Sequence, residues 1–210
     1  MKKPFIYKNY YDVVILPPPE VRNYAVKLSR EICRQFHTNF VLGQSAYLPH
    51  ISLYHVPLRP EVLPRLNKTL QVILSRFKLG RLHTIGIKKG NAVWIEITNP
   101  SWLTKLHLAI LKEVAPLRDK TFKVERTWDW AYASLQKKYI ENYGSPLVKK
   151  YFDSHITINF IDAHKNGNSI IKFIKSVKFK TQGFKVNSIS VCRQGPHHTC
   201  HEKLFTVYKK

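Results

Sequence analysis

Leu48-Pro49-His50-Ile51-Ser52-Leu53 and Asp153-Ser154-His155-Ile156-Thr157-Ile158 are the two stretches on which the reading of this 210-residue chain turns. In each, a histidine and a hydroxyl residue flank one large apolar residue. Along a β-strand, alternate residues share a face. A strand over either stretch therefore turns His50 and Ser52 one way and Ile51 and Leu53 toward a core. His155 and Thr157 separate from Ile156 and Ile158 in the same manner. By the same alternation Tyr54 faces with His50 and Ser52, which makes it a candidate substrate contact or a cross-strand packing residue.

Outward from these stretches the chain repeats an order of elements. A β-branched run at 12–16 stops at Pro17-Pro18-Pro19, which reads as strand and turn. Val21, Ala25, Leu28, Ile32 and Phe36 recur at helical spacing, so residues 20–36 form an amphipathic helix. A strand over 48–56 ends at Pro57, and a second helix covers 60–77 with Val62, Leu66, Leu70, Ile73 and Phe77 on one face. Strands at 82–87 and 92–98 are joined through Lys88-Lys89-Gly90-Asn91 as a hairpin. A third helix, from about 99 to 117, turns Leu103, Leu106, Ile110 and Val114 inward. A strand at 154–161, a short helix at 168–177 and strands at 184–192 and 203–208 complete the chain.

Strand–helix–strand–helix–strand thus occurs twice, the second pass beginning at Ala92. Val13 and His50 are 37 residues apart, Val93 and His155 62 apart. The excess of about 25 matches an aromatic segment at 120–146 that carries Phe122, Trp128, Trp130, Tyr132, Tyr139 and Tyr143. The predicted class is α+β: one bilobal domain of two duplicated halves, about 1–90 and 91–210, with an insertion at 120–146 and a central cleft. The insertion's rings either pack it onto the body or give bases a stacking platform.

Pseudo-symmetric lobes bring both polar pairs to that cleft. Two imidazoles and two hydroxyls there suit phosphodiester chemistry. One neutral imidazole takes a proton from the incoming water, and one imidazolium gives a proton to the leaving oxygen. The hydroxyls of Ser52 and Thr157 can donate to the non-bridging oxygens where charge develops. The scheme calls for no metal and no cofactor. Asp12, Asp153 or a backbone carbonyl are the candidates to fix an imidazole tautomer. A third match, His197-His198-Thr199, lies in a Gly-Pro-led loop without apolar strand context and reads as coincidence. Cys192 and Cys200 beside it are eight apart, too far for standard zinc-site spacing. His83 and His107 read as packed or surface residues.

Composition sets the partner class. Thirty-five Lys+Arg against thirteen Asp+Glu give a formal charge of +22, which attracts polyanions. The competing reading of the lysines at Lys149-Lys150, Lys172, Lys175, Lys178, Lys180 and Lys209-Lys210 is solubility alone, but the excess is larger than solubility needs. No apolar run approaches a membrane span, and the first sixteen residues lack the apolar core of a secretory signal. Three cysteines imply free thiols and a cytoplasmic setting.

With both motifs in hand, the sequence resembles the two-histidine (2H) phosphoesterases, including the LigT-like RNA 2′,3′-cyclic phosphodiesterases, also called 2′-5′ RNA ligases. The resemblance covers nearly the whole chain. It implies that His50 and His155 are catalytic, that Ser52 and Thr157 bind the phosphate, and that an RNA or nucleotide 2′,3′-cyclic phosphate is opened to a 2′-phosphate by a monomer. In LigT-like members a residue five past each motif histidine often touches substrate; here those residues are His55 and Phe160. The competing readings are the same chemistry on another substrate (2′-5′ oligonucleotide, 3′-end exonuclease target or ADP-ribose cyclic phosphate), an RNA-binding module without turnover, or a peripheral protein held to anionic lipid.

Overall fold

The computed structural model describes residues 9–90, 92–122, 133–160 and 169–209. Trp128, Trp130 and Tyr132 of the aromatic segment lie outside the described residues. The order is β1 (Tyr10–Ile15), α1 (Pro19–Gln35), β2 (Ile51–Pro57), α2 (Leu63–Arg76), β3 (Arg81–Lys89), β4 (Ala92–Ile97), α3 (Ser101–Val114), α4 (Ser134–Tyr143), β5 (His155–Phe160), α5 (Ser169–Ser176), β6 (Gly183–Lys185), β7 (Ser188–Gln194) and β8 (Cys200–Tyr208). The class is α+β. α1 starts with proline in its first turn, where the missing N–H costs nothing. Val21, Ala25, Leu28 and Ile32 are buried beneath it, as their spacing requires.

Two four-stranded antiparallel sheets form the body, in the orders β2-β1-β7-β8 and β5-β4-β3-β6. The two orders superimpose term by term: β2 on β5, β1 on β4, β7 on β3, β8 on β6. The sheets do not follow the halves of the chain. β3 leaves the first half to pair with β4, and β7 and β8 return from the second half to pair with β1. The strand expected at 184–192 is therefore two, because β6 belongs to one sheet and β7 to the other. The helices also cross over: α1 packs on β5 and α3 on β2. One continuous apolar core runs beneath both sheets, from Val13 and Ile51 through Leu106 to Ile156 and Ile158.

β2 and β5 carry the same irregularity. Against β1, Val13 pairs with Tyr54 and Val14 with Ser52, so Leu53 is an extra residue. Against β4, Val93 pairs with Asn159 and Trp94 with Thr157, so Ile158 is extra. Each is a β-bulge three residues past the motif histidine. A bulge frees a backbone group from the ladder, and a buried free carbonyl must find another donor. The helices of the opposite repeats supply them. Ser29 Oγ of α1 donates to the Ile158 carbonyl at 3.1 Å, and His107 Nδ1 of α3 donates to the Leu53 carbonyl at 2.7 Å.

The expectation of three free thiols is corrected. Cys192 and Cys200 form a disulfide, and Cys33 alone is free. β7 and β8 are adjacent strands, which brings the two Cα atoms to 5.6 Å, within bridging reach. With one disulfide and one free thiol, the cysteines do not point to a reducing compartment. The denatured chain without reductant is expected to show one titratable thiol. Reduction is expected to lower stability by about 2 kcal/mol, from the short loop closed. Three titratable thiols before reduction would contradict the bond.

Candidate active site

The bulges decide which side chains face the cleft. Strict alternation puts the residue five past each histidine on the wrong face. One extra residue reverses the parity, so His55 joins the face of Ser52 and Phe160 that of Thr157. Tyr54 is turned the other way. Contrary to the alternation argument, it is buried, and its hydroxyl donates to the Tyr143 carbonyl at 2.6 Å. Burial raises its pKa further above the ordinary phenol value. Its counterpart Asn159 is likewise buried and donates to the Phe40 carbonyl at 2.9 Å.

His50 and His155 are held alike. His50 Nδ1 lies 2.7 Å from the Leu48 carbonyl and His155 Nδ1 lies 3.0 Å from the Asp153 carbonyl. A carbonyl only accepts, so each Nδ1 carries hydrogen and each Nε2 is left for chemistry. The backbone two residues upstream fixes both tautomers. Burial pushes both pKa values below the ordinary histidine value, and a charge on either His50 or His55 lowers that of His155 further. The three rings therefore sit in one electrostatic neighbourhood, where β2 meets β5. A small pocket at this meeting is lined by His50 and Thr157 from opposite sheets, with Phe40, Leu42, His198 and Thr199 around them. Trp94 of β4 lies against the His155 ring at 5.7 Å. Phe160 stands beside Phe40 and His197 at the same pocket's edge.

Beside the motif strands the two sheets differ in charge. Asp12, fully buried on β1, pairs in register with His55, while the equivalent residue on β4 is Ala92. Asp12 Oδ2 accepts from Ser52 Oγ at 2.6 Å, and His55 Nε2 lies 3.0 Å from that oxygen and 2.9 Å from Ser52 Oγ. His50 Nε2 is 3.5 Å from the same carboxylate oxygen. The carboxylate favours a protonated His50, against the larger effect of burial. Ser52 is thus tied to a carboxylate, whereas Thr157 faces the pocket.

The loop between β7 and β8, which reads as coincidence in the sequence, reaches this site. His198 stacks on His55 with centroids 5.5 Å apart and planes within 6°, and its Nδ1 lies 3.1 Å from Gln194 Oε1. His197 and His198 both take left-handed backbone, at φ 59° and 57°. Nothing in the H-x-T pattern signals the placement; the adjoining cysteines that close the loop were the available clue.

Burial, with smaller help from His55, pushes the His198 pKa down to about 3. The unfolded chain, with a histidine near 6.5, takes up that proton first. Stability from the neutral ring is complete above about pH 6.5 and is lost as pH falls toward 3. The urea midpoint is expected to drop between neutral pH and about 4, and to drop less in His198→Gln. Equal acid sensitivity of the two proteins would contradict a buried neutral ring.

The fold has known counterparts. TT0787 of Thermus thermophilus aligns over 95% of this chain and 97% of its own, with a TM-score of 0.57 at 16% identity. Escherichia coli LigT, solved in complex with NADP+, aligns over 95% of this chain and 96% of its own, with a TM-score of 0.51 at 13% identity. The chain therefore shares the fold of LigT and TT0787. No family model matches the chain, and no curated protein matches it in sequence. Among the described residues no helix is long and apolar enough to cross a membrane.

Proposed function

We propose that the chain is a two-histidine phosphoesterase that opens 2′,3′-cyclic phosphates at RNA ends and leaves a 2′-phosphate. One observation carries the reading. Two imidazoles at equivalent places, His50 just before β2 and His155 at the start of β5, have Nδ1 fixed by the backbone and Nε2 left over, beside a pocket that His50 shares with Thr157. His155 Nε2 takes a proton from water as the water oxygen bonds to phosphorus. The bond from phosphorus to O3′ breaks, and His50 Nε2–H protonates the departing oxygen. His50 is the acid because the Asp12 carboxylate, which favours its charged form, lies 3.5 Å from the Nε2 that gives up the proton; Asp153 favours a charged His155 as well. Thr157 Oγ1 donates to a non-bridging oxygen where negative charge grows. His55 and Phe160, on the same faces, are the substrate contacts nearest the phosphate.

The test is RNA ended in a 2′,3′-cyclic phosphate, offered with EDTA, with the 2′- and 3′-phosphate products resolved. A 2′-phosphate product formed at an unchanged rate in chelator supports the reading. Activity abolished by EDTA, a 3′-phosphate product, or tight binding without turnover contradicts it.

A further inference from the structure

A second cavity, of about 310 Å³, lies on the outer side of α1 and takes no part in the chemistry above. It is lined by Asn23, Val26, Lys27, Arg30, Arg34 and Gln44. Lys27, Arg30 and Arg34 are exposed and stand at helical steps of three and four, so they form one row. No acidic side chain lines the cavity. None of the three cations is ion-paired among the described residues. The row extends about 10 Å along the helix axis, longer than a single phosphate group.

One loop walls both this cavity and the catalytic pocket. Residues 36–50 leave the end of α1 and run back beside it to His50. Leu42 N donates to Ser29 Oγ at 2.9 Å, which fixes the loop to α1, and Gln44 Nε2 donates to Asn23 Oδ1 at 2.7 Å at the cavity's edge. Phe40 and Leu42 face the catalytic pocket, and Gln44, two residues on, faces the cavity. Two residues of extended chain reach at most about 7 Å. The cavity and the pocket are therefore neighbours on either side of one loop.

We infer that the Lys27–Arg30–Arg34 groove binds the sugar-phosphate backbone of single-stranded RNA, upstream of the end held by the two histidines. The naming of RNA as the occupant rests on the proposed function. The groove itself stands on its unpaired charge, its shape and the wall it shares with the pocket. It assigns a polynucleotide, not a free cyclic nucleotide, as the substrate class, because a mononucleotide ends at the pocket.

Binding of a short unstructured RNA is measured against salt by fluorescence anisotropy. The proteins are wild type, the triple variant Lys27→Gln/Arg30→Gln/Arg34→Gln, and a charge-matched control, Lys172→Gln/Lys175→Gln/Lys178→Gln. Each phosphate contact contributes roughly 0.7 to the slope of log affinity on log salt for single strands. The groove variant is expected to lose about 2 from that slope and to bind at least about tenfold more weakly at low salt. The control is expected to keep nearly the wild-type slope. An unchanged slope in the groove variant, or an equal loss in the control, overturns the inference. So does loss of binding to phosphatidylserine vesicles with RNA binding intact, which would assign the groove to lipid. Binding, not turnover, is read. A chain that lacks phosphoesterase activity but loses slope only in the groove variant keeps the groove and removes the catalytic reading.

Discussion

His50→Ala and His155→Ala are each expected to lower kcat/KM for cyclic-phosphate opening by about 10²–10⁴, the usual contribution of a positioned acid or base. The double variant is expected to fall little further than the worse single one, since the two rings act in one proton-transfer sequence. Thr157→Val removes a pocket hydroxyl that can donate to growing charge and is expected to cost about 10². Ser52→Ala is expected to cost less, because the Ser52 proton is already engaged by Asp12 at 2.6 Å. Folding must be intact for these comparisons, and His155 is partly exposed on a strand whose core contacts come from Ile156 and Ile158. Urea midpoints close to wild type check this. Full activity in either histidine variant removes the paired mechanism, and a serine effect larger than the threonine effect removes the asymmetry.

His107→Leu carries the largest expected loss of stability. The ring is wholly buried, donates from Nδ1 to the freed Leu53 carbonyl, and accepts at Nε2 from the Lys149 N–H at 2.9 Å. Its faces lie parallel to Phe152 at 4.1 Å. Leucine fills much of the volume but leaves the buried Leu53 carbonyl and the part-buried Lys149 N–H unpaired, at about 1–3 kcal/mol for the carbonyl and about 1 kcal/mol for the N–H. The lost stacking adds roughly 1 kcal/mol. The sum is about 4 kcal/mol, read as a lower urea midpoint at unchanged slope. Lys149 sits at φ 56°, and its bond to His107 helps hold that left-handed turn. Because Leu53 is the bulge residue that sets the facing of His55, activity per folded molecule is expected to fall as well. Ser29→Ala, which frees the matching Ile158 carbonyl and also the Leu42 N–H, is expected to destabilise by about 3 kcal/mol, less than His107→Leu because no stacked ring is lost. A stability change below roughly 1 kcal/mol in His107→Leu would show that the bulge carbonyl needs no partner.

Much of this architecture was legible in particular residues. Apolar runs around His50 and His155 marked two buried strands. The helical spacing of Val21, Ala25, Leu28 and Ile32 placed α1 within a residue. The repeated order of elements announced a duplication, and the matching sheet orders display it. Four features were not legible. Strand exchange between the sheets depends on which edges meet in space, and element order carries no such information. The bulges at Leu53 and Ile158 consist of ordinary apolar residues in apolar strands, so a strict period of two misplaced Tyr54 and gave no reason for His55 to face the site. Asp12 was visible as a lone carboxylate before Val13, Val14 and Ile15. Its role as the point where Ser52, His55 and His50 converge required the register of β1 against β2. His198 needed the closed loop between Cys192 and Cys200 to reach the same place.

The most direct test is nuclear magnetic resonance of the protein with ¹⁵N-labelled histidine, titrated with adenosine 2′-monophosphate. The ring signals of His50 and His155, assigned through the alanine variants, are expected to show hydrogen on Nδ1 in both neutral rings. Both are expected to move along a single binding curve as the phosphate enters between them. Movement of one ring alone, separate curves for the two, or hydrogen on Nε2 of either neutral ring would contradict a shared phosphate site.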